Sequence, residues 1–102
     1  MPEPVVIAPE GELDLHSVDA LAPQLDEAAG ADYPHLILDL SAVTLVDSTA
    51  LGAIAQVQHR FNSRGRKLSV VAPPGSAAAV LLELSGLRSR FSLFSSRDAA
   101  SV

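Results

Sequence analysis

Residues His35 to Leu40 read His-Leu-Ile-Leu-Asp-Leu, a short and nearly continuous apolar run bounded by Pro34 and Ser41. A strand with one face in water alternates apolar and polar residues; one that does not alternate must be covered on both faces, the usual situation in a parallel sheet flanked by helices. The flanking sequence supplies those helices. Val18, Leu21, Ala22, Leu25, Ala28 and Ala29 recur at helical spacing after Ser17, the expected N-cap, and Gly30 closes the pattern. Pro23 lies inside it and removes a bond to the carbonyl of Asp19, so a kink is expected there. Ala50, Ile54, Val57 and Phe61 form a second stripe opposite Gln56, His59, Arg60 and Ser63, stopping at Arg64 and Gly65. A third helix, capped by Ser76, carries Val80, Leu81, Leu84 and Leu87, with Gly86 near its end.

Between the helices lie further strand segments. Val5–Ile7 and residues 12–15 bracket Pro9, Glu10 and Gly11 and read as one interrupted strand or two short ones, confined by Pro9 to an edge or bulge. Val43 to Val46 extends the apolar character of the central run, Leu68 to Ala72 is another strand, and Ser92 to Ser95 a weaker one. Residues 97–102 read as a frayed last helix. Strand and helix alternate along the chain, which predicts a single α/β domain over residues 1–102: a small mixed, mostly parallel sheet of about four strands with about four helices.

Composition narrows the function classes. Seven Lys and Arg against twelve Asp and Glu give a net charge of −5, the wrong sign for a general binder of nucleic-acid backbone. The absence of Cys removes disulfide scaffolds, thiolate metal sites and thiol chemistry together. The longest uncharged stretch, Leu68 to Leu82, is interrupted by Pro73, Pro74 and Gly75, so no membrane span is expected. The first residues lack the basic start and apolar region of a signal peptide, and a cytoplasmic location is expected.

In parallel α/β folds the functional loops sit at the carboxyl ends of the strands. That rule selects Asp14 to Ser17, Asp47 to Thr49, and Pro73 to Ser76. In Asp47-Ser48-Thr49 a strand feeds the amino end of a helix, which places the Ser48 hydroxyl near unpaired amides and the positive end of the helix dipole. The bland reading is a plain N-cap, the commonest use of Asp or Ser there. The alternative is a modification site, because a phosphate at that position is held by the same amides and dipole.

Three blocks decide between them. Gly11-Glu12-Leu13-Asp14, then Leu38-Asp39-Leu40-Ser41 with Asp47-Ser48-Thr49-Ala50-Leu51-Gly52, then Glu83-Leu84-Ser85-Gly86-Leu87 before Phe91, stand in the order and spacing of a STAS domain of the anti-sigma factor antagonist (anti-anti-sigma factor) type, which this chain resembles over nearly its whole length. The resemblance implies a non-enzymatic regulator without cofactor. It maps the phosphorylated serine onto Ser48, with Thr49 as the less favoured neighbour, and sets Asp14 beside it. Asp14, Leu15, His16, Asp47, Thr49, Ala50 and Leu51 are the expected partner contacts. The implied partners are an anti-sigma factor that is also an ATP-dependent serine kinase, bound while Ser48 is unmodified and released on its phosphorylation, and a phosphatase that resets the cycle. The other reading is a non-switching STAS module of a stress-signalling or lipid-transport assembly.

Two departures from the family pattern matter. Ala50 replaces the first glycine of the D-S-[ST]-G-L-G segment; it would be strained at positive φ but favoured over glycine in a helix. Only about ten residues precede Gly11, so the first strand is expected to be short or missing, exposing a sheet edge on which a weak homodimer could form. Other chemistries are less well supported. His16, His35 and His59 fall on three elements with no i, i+4 pair, so no metal site is expected. Asp-Ser-Thr-Ala-Leu-Gly is not a hydrolase nucleophile elbow, and Gly75 lacks the Lys-Ser/Thr and companion glycines of a P-loop. Arg60, Arg64, Arg66 and Lys67 straddle a helix end, where cations complement the dipole.

Overall fold

The computed structural model describes residues 4–14, 16, 17, 20, 21, 23–25, 27, 34–86, 89 and 91–101. Strands β1 (Val5–Ile7), β3 (His35–Asp39), β5 (Lys67–Val71) and β6 (Leu93–Phe94) form a four-stranded sheet in the order β1-β3-β5-β6, parallel at every pairing. The expected sheet of about four strands is present. A second, two-stranded parallel sheet joins β2 (Gly11–Leu13) to β4 (Val43–Val46). Helices α1 (Ser48–Ser63), α2 (Ala77–Ser85) and α3 (Arg97–Ala100) follow β4, β5 and β6; Ala20, Leu21, residues 23–25 and Glu27 are helical as well. Among the described residues no helix is long and apolar enough to cross a membrane.

The interruption at Pro9–Gly11 resolves into two strands with different partners. β1 lies along β3, with Val5 opposite Leu36 and Ile7 opposite Leu38. β2 lies along β4, with Gly11 opposite Val43 and Leu13 opposite Val46, and the register shifts between Gly11 and Glu12. Gly11 adopts φ +76°, a conformation that strains residues with a Cβ, and this is where the chain changes sheets. The matching break in the neighbouring segment is a turn in which Val43 N donates to Leu40 O at 3.2 Å. Val43 to Val46 is thus a separate strand that leaves β5 and packs against α2, rather than a continuation of the central run.

Two-sided burial explains the composition of β3. Leu36 and Leu38 face a core shared with Leu68, Val70, Leu21, Leu25, the α1 residues Leu51, Ile54 and Phe61, and Leu82 of α2. Ile37 points the other way, into a smaller cluster with Val71 and Ala100, against which Phe94 packs. Asp39 shares that second face. It is 5% exposed, accepts a hydrogen bond from Ser41 N at 3.0 Å, and pairs with the Arg97 guanidinium of α3. Burial pushes its carboxyl up, but the bonds from Ser41 and Arg97 outweigh this and hold it below the usual carboxylate value. The sole acidic residue of β3 therefore anchors the last helix to the sheet.

The α1 stripe falls where the spacing predicts, and α1 ends at Arg64 with Gly65 at φ +70°. The expected α2 stripe does not: Ala78 and Leu82 face the core and Leu81 is half-buried, whereas Val80 and Leu84 are exposed, because apolar residues fill nearly every position of this helix and leave its period ambiguous. Ser76 caps α2, and Gly86 in the left-handed region closes it. Asp19 and Ala22, on which the expected kink at Pro23 turns, lie outside the described residues, as do Gly30 and Leu87.

Candidate functional site

The β2–β4 pair builds one end of the molecule. Because its strands are parallel and Leu13 stands opposite Val46, the next residue on each, Asp14 and Asp47, emerges at the same carboxyl end. Asp47 N donates to Leu13 O at 3.1 Å, extending the ladder and tying the start of α1 to the end of β2.

Asp47, rather than Ser48, caps α1. Its carboxylate accepts from Ala50 N at 2.9 Å, and its carbonyl accepts the first helical bond from Leu51 N at 3.2 Å. Ser48 is therefore the first helical residue, exposed, and its hydroxyl has no hydrogen-bond partner among the described residues. Thr49 beside it is also exposed. With no other acidic residue in its first turn, α1 offers its dipole and its first free amides to whatever is placed on Ser48.

Asp14 is organised by a tight local network. Its Oδ1 accepts from His16 N and Ser17 N, both at 3.0 Å, while its own N–H donates to Ser17 Oγ at 2.7 Å. This reciprocal Asp14–Ser17 pair has the form of a capping box. Ser17 was the expected cap: its carbonyl accepts from Ala20 N and Leu21 N, but its hydroxyl turns back toward Asp14 and Glu12. The backbone bond from Ser17 is the largest influence on the Asp14 carboxyl and, with the bonds from the Ser17 hydroxyl and His16, lowers it below its ordinary value. Asp14 is thus held ionised and oriented beside Asp47.

Of the eight residues expected at this end, Asp14, His16, Asp47, Ser48 and Thr49 lie on its surface or partly so. Leu15 lies outside the described residues. Ala50 and Leu51 must be withdrawn as direct contacts, because they are 0% and 1% exposed and sit in the main core. Their role is to seat the helix start. No non-glycine residue among those described has positive φ, so Ala50 is helical and its methyl group is compatible with the segment. Glu12, exposed on β2 opposite Leu45, adds a further carboxylate two residues before Asp14.

Charge is unevenly divided along the chain. The first 59 residues contain ten Asp and Glu and no Lys or Arg, whereas the remaining 43 contain two acidic and seven basic residues. The Ser48 end thus draws its side chains from a segment whose only cationic candidates are histidines, and Arg60, Arg64, Arg66 and Lys67 cluster where α1 ends and β5 begins. Among the described residues no group of three His, Asp or Glu side chains is arranged to hold a metal ion.

The parallel α/β domain thus presents an exposed serine at the first helical position of α1, next to the capping carboxylate of Asp47. Residues 1–100 match the STAS domain family, and the chain belongs to that family. It is 34% identical over 86 residues to an anti-sigma F factor antagonist of Paenibacillus polymyxa, covering 81% of this chain and 71% of that protein. The crystal structure of an anti-sigma factor antagonist from Mycobacterium paratuberculosis superposes with a TM-score of 0.84 at 29% identity, covering 93% of this chain and 80% of the other. The anti-sigma factor antagonist SpoIIAA in its unphosphorylated form shares the fold, with a TM-score of 0.74 at 21% identity over 97% and 86% of the two chains.

Proposed function

We propose that the protein is an anti-sigma factor antagonist that works by partner switching, with Ser48 as the switch. It binds an anti-sigma factor while Ser48 is unmodified and so frees a sigma factor. That anti-sigma factor, acting as a serine kinase, passes the γ-phosphoryl group of ATP to Ser48 Oγ, which loses its proton as ADP departs. The modified protein is released, and a phosphatase restores the hydroxyl. The observation that carries the reading is the division of labour at the start of α1: Asp47 supplies the cap, leaving the Ser48 hydroxyl exposed and unengaged.

The names of the relatives favour this reading over a non-switching scaffold. SpoIIAA, solved in a form distinguished as unphosphorylated, supports phosphate as the regulating group. Physical magnitudes agree. Phosphorylation adds about −1.5 to −2 charges at neutral pH. Screening over about 8 Å removes most of its effect on distant contacts, so the action is local. A partner carboxylate about 6 Å away at an effective dielectric near 40 is repelled by roughly 2–3 kcal/mol, a tenfold to hundredfold loss of affinity. Asp14, His16, Asp47 and Thr49 form the contact surface around the switch.

Incubation with the cognate kinase and ATP, followed by mass mapping, is expected to place phosphate on Ser48. Calorimetry is expected to show Ser48→Asp weakening partner binding while Ser48→Ala preserves it. Absence of phosphate on Ser48, or equal affinity in both variants, would falsify the switch.

A further inference from the structure

The order β1-β3-β5-β6 leaves β6 at the edge of the main sheet. Val70 N donates to Ser92 O and Ala72 N to Phe94 O, both at 2.9 Å, so Ser92 and Phe94 turn their carbonyls toward β5. Peptide groups alternate in direction along a strand, which points those of Leu93 and Ser95 away from β5, to the open edge. Beside that edge runs a cleft of about 250 Å³. Its floor is apolar, from Ala72, Leu93 and Phe94, and one wall is the α2 face carrying Ala79, Val80 and Glu83. Val80 is 46% exposed, a large apolar side chain in water on the wall of the cleft. The volume is below the roughly 300–1,000 Å³ of small-molecule pockets. An unpaired strand edge beside a helix wall is the arrangement that accepts an extended peptide as an added strand.

We infer that the β6–α2 cleft is a docking site for an extended segment of a partner protein, which adds to the free edge of β6, places an apolar side chain over Leu93 and Val80, and sets a Lys or Arg against Glu83. The backbone groups of Leu93 and Ser95 select an extended conformation. Among the described residues Glu83 is the one charged side chain lining the cleft, and it selects the cation. Val80, Glu83, Leu93 and Ser95 are not among the residues of the Asp14–Ser48 site, so the cleft is a surface separate from the switch serine. A strand as short as β6 offers few backbone bonds, so binding is weak and reversible.

The test uses the intact protein and three capped seven-residue peptides alternating valine and threonine: one with a central lysine, one with a central glutamate, and the lysine peptide N-methylated at alternate residues. Nuclear magnetic resonance is expected to show saturable binding of the lysine peptide, with slowed exchange of the Leu93 and Ser95 amides. Glu83→Lys is expected to weaken the lysine peptide and strengthen the glutamate peptide, each by about threefold to tenfold. The N-methylated peptide should not bind. Equal binding of the N-methylated peptide, perturbation confined to other surfaces, or no saturation by the lysine peptide overturns the inference. So does concentration-dependent self-association that protects the same two amides without peptide, which would assign the edge to a second copy of the chain.

Discussion

Two helix starts, α1 after β4 and α2 after β5, stand at carboxyl ends of parallel strands and are capped by a side chain reaching the third helical amide. At α1 the cap is Asp47, bonded to Ala50 N at 2.9 Å; at α2 it is Ser76, bonded to Ala79 N at 3.2 Å. The difference lies in what each cap leaves free. Ser76 commits its hydroxyl to the helix, and three alanines follow it. Asp47 does the capping with a carboxylate, so the serine after it keeps its hydroxyl in solvent. The same local motif is structural in one place and, in the proposed function, regulatory in the other, and the distinction rests on which residue holds the amide.

The largest expected effect concerns the hydroxyls. Phosphorylation by the partner kinase should label Ser48 and lower partner affinity tenfold to hundredfold, while Ser76 stays unlabelled in the same digest. Next, Asp47→Ala should destabilise the protein by about 1 kcal/mol, within the 0.5–2 kcal/mol range of lost caps, and also weaken partner binding, measured by urea denaturation and calorimetry. Ser76→Ala should cost a similar or smaller amount, about 0.5–1 kcal/mol, with partner affinity unchanged. If both variants bind the partner equally, the two helix starts are functionally equivalent and the contrast fails.

The smallest effect is that of pH on Asp14. Its carboxyl is lowered in the folded protein, so ionised Asp14 favours folding; this contribution is fully present above the unfolded value of about 3.8 and is lost as pH falls through the folded one. Asp14→Asn should therefore be less stable than the parent at neutral pH, with the gap closing as pH falls below about 3.8 in acid unfolding followed by circular dichroism. His35 runs on a different window. Burial first, and then the Lys67 charge, lower its affinity for a proton, while its Nε2 lies 2.9 Å from Ser69 Oγ. Folding disfavours the imidazolium, so stability should fall as pH drops below about 6.5, and His35→Gln should flatten that slope.

The legibility of these regions in the sequence differs for physical reasons. Helix periods and caps are local, and so the α1 stripe, Ser76 and the Gly65 stop could be read directly; the α2 stripe could not, because apolar residues occupy all but two of its nine positions and leave its buried face undefined by spacing. The central strand was legible because burial on both faces leaves a continuous apolar run. The β2–β4 pair was not, because its pairing joins residues about 30 positions apart and β4 has the same composition as an extension of β3. Ala50 shows a different failure. Its place in the apolar stripe already argued for burial, while the motif drew attention to it as a contact, and the stripe was the sounder guide. Gln58 had no signal of either kind: it is 4% exposed, with its amide nitrogen 3.5 Å from Ser92 Oγ and its oxygen unpartnered.

The separation of charge along the chain also determines how the protein can be cut. Trypsin cleaves after Lys and Arg, and its first site is Arg60, in the last turn of α1. A complete digest leaves residues 1–60 uncut, a stretch too long for routine assignment of a single modified hydroxyl among Ser17, Tyr33, Ser41, Thr44, Ser48 and Thr49. A protease that cuts before aspartate instead opens the chain at Asp47 and places Ser48 second in its peptide. Under native conditions the exposed Arg64–Gly65 turn is the natural place for a trypsin nick, and a nick there would separate β1–α1 from β5–α3 covalently while the β3–β5 ladder still bridges the two pieces.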